Sequence, residues 1–412
     1  MAPELPEISA EEFKRRRALS ENGTKWLWYW PDVEPADWNR ALLRLEATTR
    51  AVLAGEPAYL GETEDLMALS VAAYTSGMGP LVGCWIEQGK ASAAGNTADL
   101  FALHLDHNRR RMATLGEAAR QILDQLAARR IEATVLKGMH TAYAHFPDPA
   151  ARPASDIDLL IARSECAEAF SIFEDAGFER IGEAYKETTW ALAGGRRTPR
   201  SLLLVHADDP WTIDLHHSMD QKPTPGAALT RLDTAIDPYH VRGWPLDPCR
   251  KILAQPALLL NLATHIGASI EINPSLLRLT ELVLVIRADV TAGRLDWSEF
   301  LVLARTTRSL RLAYPGLALA EKLAPGIVPA DVLEACAQAS TRRARNLIAA
   351  LTPATAQRLE RKSIWAHYMW AKGPAEFVRQ IAADLWPNVS FSGLIAHYRR
   401  LFRRVVRGAY TR

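Results

Sequence analysis

The sequence predicts an α+β protein in which a small mixed β-sheet is flanked along the chain by an N-terminal and a C-terminal helical region. Three observations carry this reading. In residues 65–130 apolar side chains recur at helical spacing, as at Leu103, Leu105, Met112, Leu115, Ala118, Ile122 and Leu126. From about 132 to 217 short β-branched or leucine-rich runs alternate with helical stretches. From about 256 helical spacing returns through LLLNLATHIGASI and LLRLTELVLVIRADV, broken by Pro or Gly near 273–274, 315–316, 324–325, 353 and 373–374. No repeat of fixed period is present.

Within the central stretch, strands are expected at 133–136, 156–161, 188–192, 202–206 and 211–216. Ser164 with Glu165 starts a helix between two of them, and Gly177 stops it. Gly194 with Gly195, and Asp208 through Pro210, read as hairpin turns linking the last three strands. Three prolines in 245–256 mark a linker. The expected division is a helical region at 1–105, an α+β core at 106–245, and a helical domain at 246–412 that ends in a basic amphipathic tail.

Composition sets limits on this scheme. A chain of 412 residues is long enough for two or three domains, and 48% hydrophobic with 23% charged residues excludes bulk disorder. No apolar run approaches the ~18 residues of a membrane span. The N-terminus has acids before bases and no apolar centre, so the cytosol is the expected compartment. Cys84, Cys166, Cys249 and Cys336 are too far apart for zinc or redox motifs and read as reduced packing residues. The net charge of +2 is unevenly held, because residues 391–412 carry six arginines and no acid, leaving −4 for the rest. That tail reads as an amphipathic helix with an arginine face that could dock an anionic partner.

The chemistry concentrates in VLKGMHTAYAHFPDPAARPASDIDLLIAR. Asp156 and Asp158 stand two apart in an apolar strand, so both carboxylates share one face while Ile157 and Leu159 point to the other. Such a pair repels itself unless a cation neutralises it, and Mg²⁺ suits hard oxygen ligands best. In WTIDLHH, Asp214 alternates with Ile213 and Leu215; if its strand adjoins the DID strand, a third carboxylate joins the face. Three carboxylates can hold two ions in the manner of in-line phosphoryl transfer, and Asp214 is the one free to accept a proton.

The ordered set of LKG, a helix ending in a tyrosine and proline-rich loop, an arginine, DIDLL and IDLH resembles the uncharacterised nucleotidyltransferase family of the DNA polymerase β-like nucleotidyltransferase superfamily, over about residues 65–290. The resemblance implies a nucleotidyltransferase core that uses a nucleoside triphosphate, or a nucleotide-activated donor, with two Mg²⁺ ions for which Mn²⁺ could substitute. By position, Asp156, Asp158 and Asp214 would be the metal-binding and catalytic carboxylates, and Lys137, Gly138 and Arg152 the phosphate contacts. His216 matches the histidine of the family's DLH motif, either as a partner behind the carboxylates or as a structural hydrogen-bonder. Relatives accompany ribosomally made, modified peptides such as lasso peptides, so the implied acceptor is a peptide. Toxin-like transfer to RNA or protein and a catalytically silent nucleotide-binding or partner-binding module are the alternatives. Replacing Asp156 and Asp158 together by Asn is expected to abolish turnover and leave the thermal transition nearly intact.

Residue by residue, plainer readings stand beside these. Arg152 could pair with Asp148 or Asp156, Tyr143 could be a core residue, and His265 a packing residue on an apolar helix. Arg196, Arg197 and Arg200 read as a solvated hairpin tip.

Overall fold

The computed structural model describes residues 7–22, 29–63, 65–223, 227–270, 274–357, 368–386 and 398. Apart from Tyr398, the expected basic tail lies outside them.

The N-terminal helices are α1 (Ala10–Asn22), α2 (Pro35–Ala54), α3 (Leu66–Ser76), α4 (Gly79–Glu87) and α5 (Gly95–Ala128). Their ends follow local rules. Pro35 opens α2 and Gly55, at φ 78°, closes it; the Asp65 carboxylate caps α3 by accepting from Ala68 N at 2.8 Å. Strands β1 (Ala58–Gly61) and β2 (Ala91–Ala93) form a small parallel pair between these helices.

The main sheet contains β3 (Thr134–Val135), β4 (Asp156–Leu160), β5 (Phe178–Glu183), β6 (Glu187–Leu192), β7 (Thr212–His216), β8 (His240–Trp244) and β9 (Asp247–Leu253). Their order across the sheet is β5-β6-β7-β4-β3-β9-β8, with β4–β7 and β3–β9 parallel and the other neighbours antiparallel. Helix α6 (Lys137–His145) links β3 towards β4, and α7 (Cys166–Asp175) links β4 to β5, ending before Gly177 at φ 82° as expected. After α8 (Asp233–Ile236) and the β8–β9 hairpin come α9 (Ala257–Ala268), α10 (Leu276–Thr291), α11 (Trp297–Thr306) and α12 (Leu310–Leu323). The α+β class with helical flanks is therefore what the chain forms.

Three local expectations are corrected. Residues 202–206 form bends rather than a strand: Leu202 and Leu203 are buried under the N-terminal helices, where Trp30 Nε1 donates to Leu202 O at 2.7 Å and Ser70 Oγ to Leu203 O at 2.9 Å. Their leucines reach a core and their carbonyls find donors without a sheet. Residues 245–256 are not a linker, because β9 runs through them and pairs with β3; Pro245 and Pro256 fall just outside the two strands. Cys249 is exposed rather than packed, while Cys84 and Cys336 are buried.

Two apolar cores organise the chain. One joins Trp38, Leu45, Leu69 and Leu81 of the N-terminal helices to Leu259, Leu282 and Leu312 of α9, α10 and α12. The other lies between the sheet and the helices α5 and α7, with Leu115, Ile122, Ile157, Leu159, Phe173 and Ile213. Helix α5, roughly 50 Å long by its residue count, serves the first core with Phe101 and Leu105 and the second from Met112 onward. Gly267 sets how closely α9 and α12 approach, since a Cβ there would lie 1.8 Å from Leu312 O. Among the described residues, no single helix is long and apolar enough to cross a membrane.

Two buried histidines give the fold a pH dependence. Burial, then His107, lowers His104 to about 3; burial, then His145, lowers His140 to about 3. Both stay neutral in the native state while the unfolded chain takes up protons below about pH 6.5, so their stabilisation is complete above that pH and is lost as pH falls towards 3. Denaturation in urea is expected to show roughly 2 kcal/mol less stability at about pH 5 than at about pH 6. A midpoint level across that interval would mean that these rings protonate within the fold.

Candidate active site

The register of β4 against β7 builds the site. Asp158 is the pairing partner of Asp214, so the two project on the same face, with Asp156 two residues earlier on β4. Ile157, Leu159, Ile213 and Leu215 fill the core on the opposite face. Asp156, Asp158 and Asp214 each offer a carboxylate oxygen, and the three atoms lie within 4.8 Å of one another. The face expected from the alternation of DID and IDLH is thus assembled.

The three carboxylates differ in environment. Asp158 is 1% exposed, and its Oδ1 receives Lys137 Nζ at 3.0 Å and faces His216 Nε2 at 2.9 Å. Burial would raise its pKa, but Lys137 and His216 outweigh this and hold it well below the usual carboxylate range. Asp156 has no ion pair or side-chain hydrogen bond among the described residues, and burial, then repulsion from Asp158, raises it to about 6. Asp214 is raised first by burial and then by Asp158, and its Oδ1 is buried without a hydrogen-bond partner among the described residues.

The flanking residues explain these differences. Lys137 begins α6 directly after β3, and the structure places its ammonium on Asp158, beside the cleft where it was expected to meet phosphate. Gly138 follows at a close approach: a Cβ there would lie 3.3 Å from Arg152 Nη1 and 3.8 Å from Asp158 Oδ2. No side chain caps the start of α6, so its first amide N–H groups are available to an anion. Arg152 does not pair with Asp148 or Asp156. Its Nε and Nη2 grip Glu281 of α10 at 2.8 and 3.1 Å, and Thr141 Oγ1 donates to the same carboxylate. His216 Nδ1 lies 3.0 Å from Glu187 Oε2, and the two carboxylates beside it raise its pKa although burial alone would lower it.

A cleft of about 60 Å³ opens between the sheet and the C-terminal helices. Lys137, Arg152, Asp156 and Asp158 line one side, and His265, Arg278 and Glu281 contribute to the other. His265 is therefore a cleft residue rather than a packing residue. Tyr143 packs edge-on against Trp244, in line with the core reading. Arg197 and Arg200 pair with Glu179 and Glu7, as a solvated loop would.

Glu187, Glu281 and Arg278 escaped sequence reasoning. Glu187 stands opposite His216 in the β6–β7 register, a pairing that the 19 residues between the strands conceal. Glu281 had a signal, a lone acid within the apolar run LLRLTELVLV, for which a buried cation partner is the usual reason.

A strand-borne carboxylate cluster stands beside an uncapped helix start and faces the C-terminal helices across the cleft. The chain belongs to the uncharacterised nucleotidyltransferase family, whose model matches residues 63–325. No curated protein and no solved structure shows a match.

Proposed function

We propose that the protein is a divalent-cation-dependent nucleotidyltransferase, with Mg²⁺ the cation favoured and a nucleoside triphosphate the donor. The observation that carries this is the convergence of Asp156, Asp158 and Asp214, with Asp214 Oδ1 buried and unpartnered among the described residues. A buried, unsatisfied carboxylate oxygen beside two other carboxylates fits a hard cation, which would be held by these three side chains. Bound there, Mg²⁺ would screen the phosphate charge and polarise the α-phosphoryl group.

The chain's own residues do the rest. The amides at the start of α6, around Gly138, receive phosphate oxygens, and the missing Cβ of Gly138 lets the phosphates approach. Lys137 balances Asp158 and faces the entering anion. Arg152, locked by Glu281, lines the cleft with a guanidinium fixed in place. An acceptor oxygen attacks the α-phosphorus; the bond to the β-phosphate breaks, and pyrophosphate leaves with the electron pair. The acceptor's proton passes to Asp214, the carboxylate that β7 contributes to the cluster. Glu187 and His216 position Asp158 from behind. A ribosomally made peptide as acceptor rests on the family resemblance, whereas the cleft's own residues speak to the donor.

Asp156→Asn is the cleanest test, because this side chain has no ion-pair partner among the described residues. With Mg²⁺ and the four nucleoside triphosphates, turnover is expected to fall about 1000-fold or more, and the unfolding midpoint to stay within about 1 kcal/mol of the parent. Undiminished turnover in that variant would remove the carboxylate cluster from the chemistry.

A further inference from the structure

The ions lining the cleft pair off, with one acid and one base left over. Lys137 is matched by Asp158 and Arg152 by Glu281. Asp156 has no cationic partner, and Arg278 has neither an ion pair nor a side-chain hydrogen bond, among the described residues. Arg278 is exposed at the first turn of α10, where its own amide is held by Ser275, so its side chain is free to turn towards the cleft it lines. The cleft is therefore polar along its length. It has an uncompensated carboxylate at the β4 end and an uncompensated guanidinium at the α10 end.

A metal–polyphosphate has the matching polarity, with its cation close to the reacting phosphorus and its highest negative charge at the far phosphate. We propose that Arg278 receives the terminal phosphate of the donor triphosphate, so that the chain of phosphates runs from the carboxylates of β4 to the start of α10. This rests on the nucleotidyl-transfer reading and deepens it, by assigning the donor's terminal phosphate to a residue of α10. A guanidinium fork suits an unesterified terminal phosphate, which offers two charged oxygens in the geometry of a bidentate contact. A nucleotide-activated sugar esterifies that phosphate and loses one of those charges. His265, which lines the same cleft, adds no competing charge: Lys137, then burial, then Arg278 keep it neutral.

The test is calorimetric titration of the full chain, in Mg²⁺, with pyrophosphate, with each nucleoside triphosphate, and with the corresponding monophosphates. Arg278→Ala is expected to weaken binding of pyrophosphate and of the preferred triphosphate by roughly 10- to 100-fold, with monophosphate affinity unchanged. Arg278→Lys should recover part of the loss, because it restores the charge without the fork. The unfolding midpoint should not move in either variant, since the parent side chain is exposed and has no partner among the described residues. Parental pyrophosphate affinity in Arg278→Ala, with triphosphate turnover intact in the wild type, would overturn this assignment and leave nucleotidyl transfer standing. A wild type that neither binds pyrophosphate nor turns over any triphosphate would overturn both.

Discussion

Asp158→Asn is expected to abolish turnover and, unlike Asp156→Asn, to cost about 3–5 kcal/mol of stability. The two aspartates look equivalent in sequence, but only one is an internal counter-ion. Asp158 is buried, and its Oδ1 is shared between Lys137 and His216. An amide there leaves the ammonium of Lys137, whose side chain is only 20% exposed, without its carboxylate. The expectation that the double Asn variant leaves the thermal transition intact is thereby revised, and the revision has its own check. Adding Lys137→Met to Asp158→Asn removes the stranded charge and should return a large part of the lost stability in urea denaturation, although not the activity. If Asp158→Asn alone unfolds within about 1 kcal/mol of the parent, Lys137 and His216 do not depend on that carboxylate.

A second large effect lies outside the cleft. Arg111→Ala is expected to destabilise the protein by about 3–5 kcal/mol and to reduce turnover even at temperatures where the variant is folded. Arg111, on α5, is 1% exposed and donates to three carbonyls: Ala154 O at 2.7 Å, Asp209 O at 2.6 Å and Pro210 O at 3.1 Å. Ala154 lies two residues before Asp156, and Pro210 two before Thr212, so one guanidinium ties together the entrances of β4 and β7. Removing it leaves two buried acceptors and one half-buried acceptor unsatisfied where the register between Asp158 and Asp214 is set. Arg111→Lys should fall between, since an ammonium cannot span the three carbonyls as a planar fork does. The measurements are the urea midpoint and the turnover of each variant. A parental midpoint in Arg111→Ala would show that the strand entrances are held by other bonds.

Much of the site is legible in the chain because a strand writes its faces with a period of two. That periodicity alone puts Asp156 and Asp158 on one face, and Asp214 joins them once β7 lies beside β4. The order of KG, DID and IDLH supplies the adjacency that periodicity lacks. Partnerships across long separations are not legible. Nearby acids are the natural partners to expect for Arg152, whereas Glu281 is 129 residues away on a helix that reads as apolar. The resemblance implies that Lys137 meets phosphate, but the pattern does not reveal Asp158 at 3.0 Å from its ammonium. Residues 202–206 mislead for the same reason, since a leucine run records that burial is needed and not which surface provides it.

The apolar core shared by the first and last helices has a consequence for how the protein is made. Arg287 donates to Leu53 O across 234 residues, and Thr280 reaches Met78 across 202. A ribosome adding about 5–20 residues per second delivers these partners roughly 10–50 s after the helices that need them. For that interval the greasy faces of α2, α3 and α4 lack the later helices that cover them. The sheet, synthesised in between, can close on α5 before either flank is complete. The shared core is complete only once α10, which carries Arg278, has been synthesised.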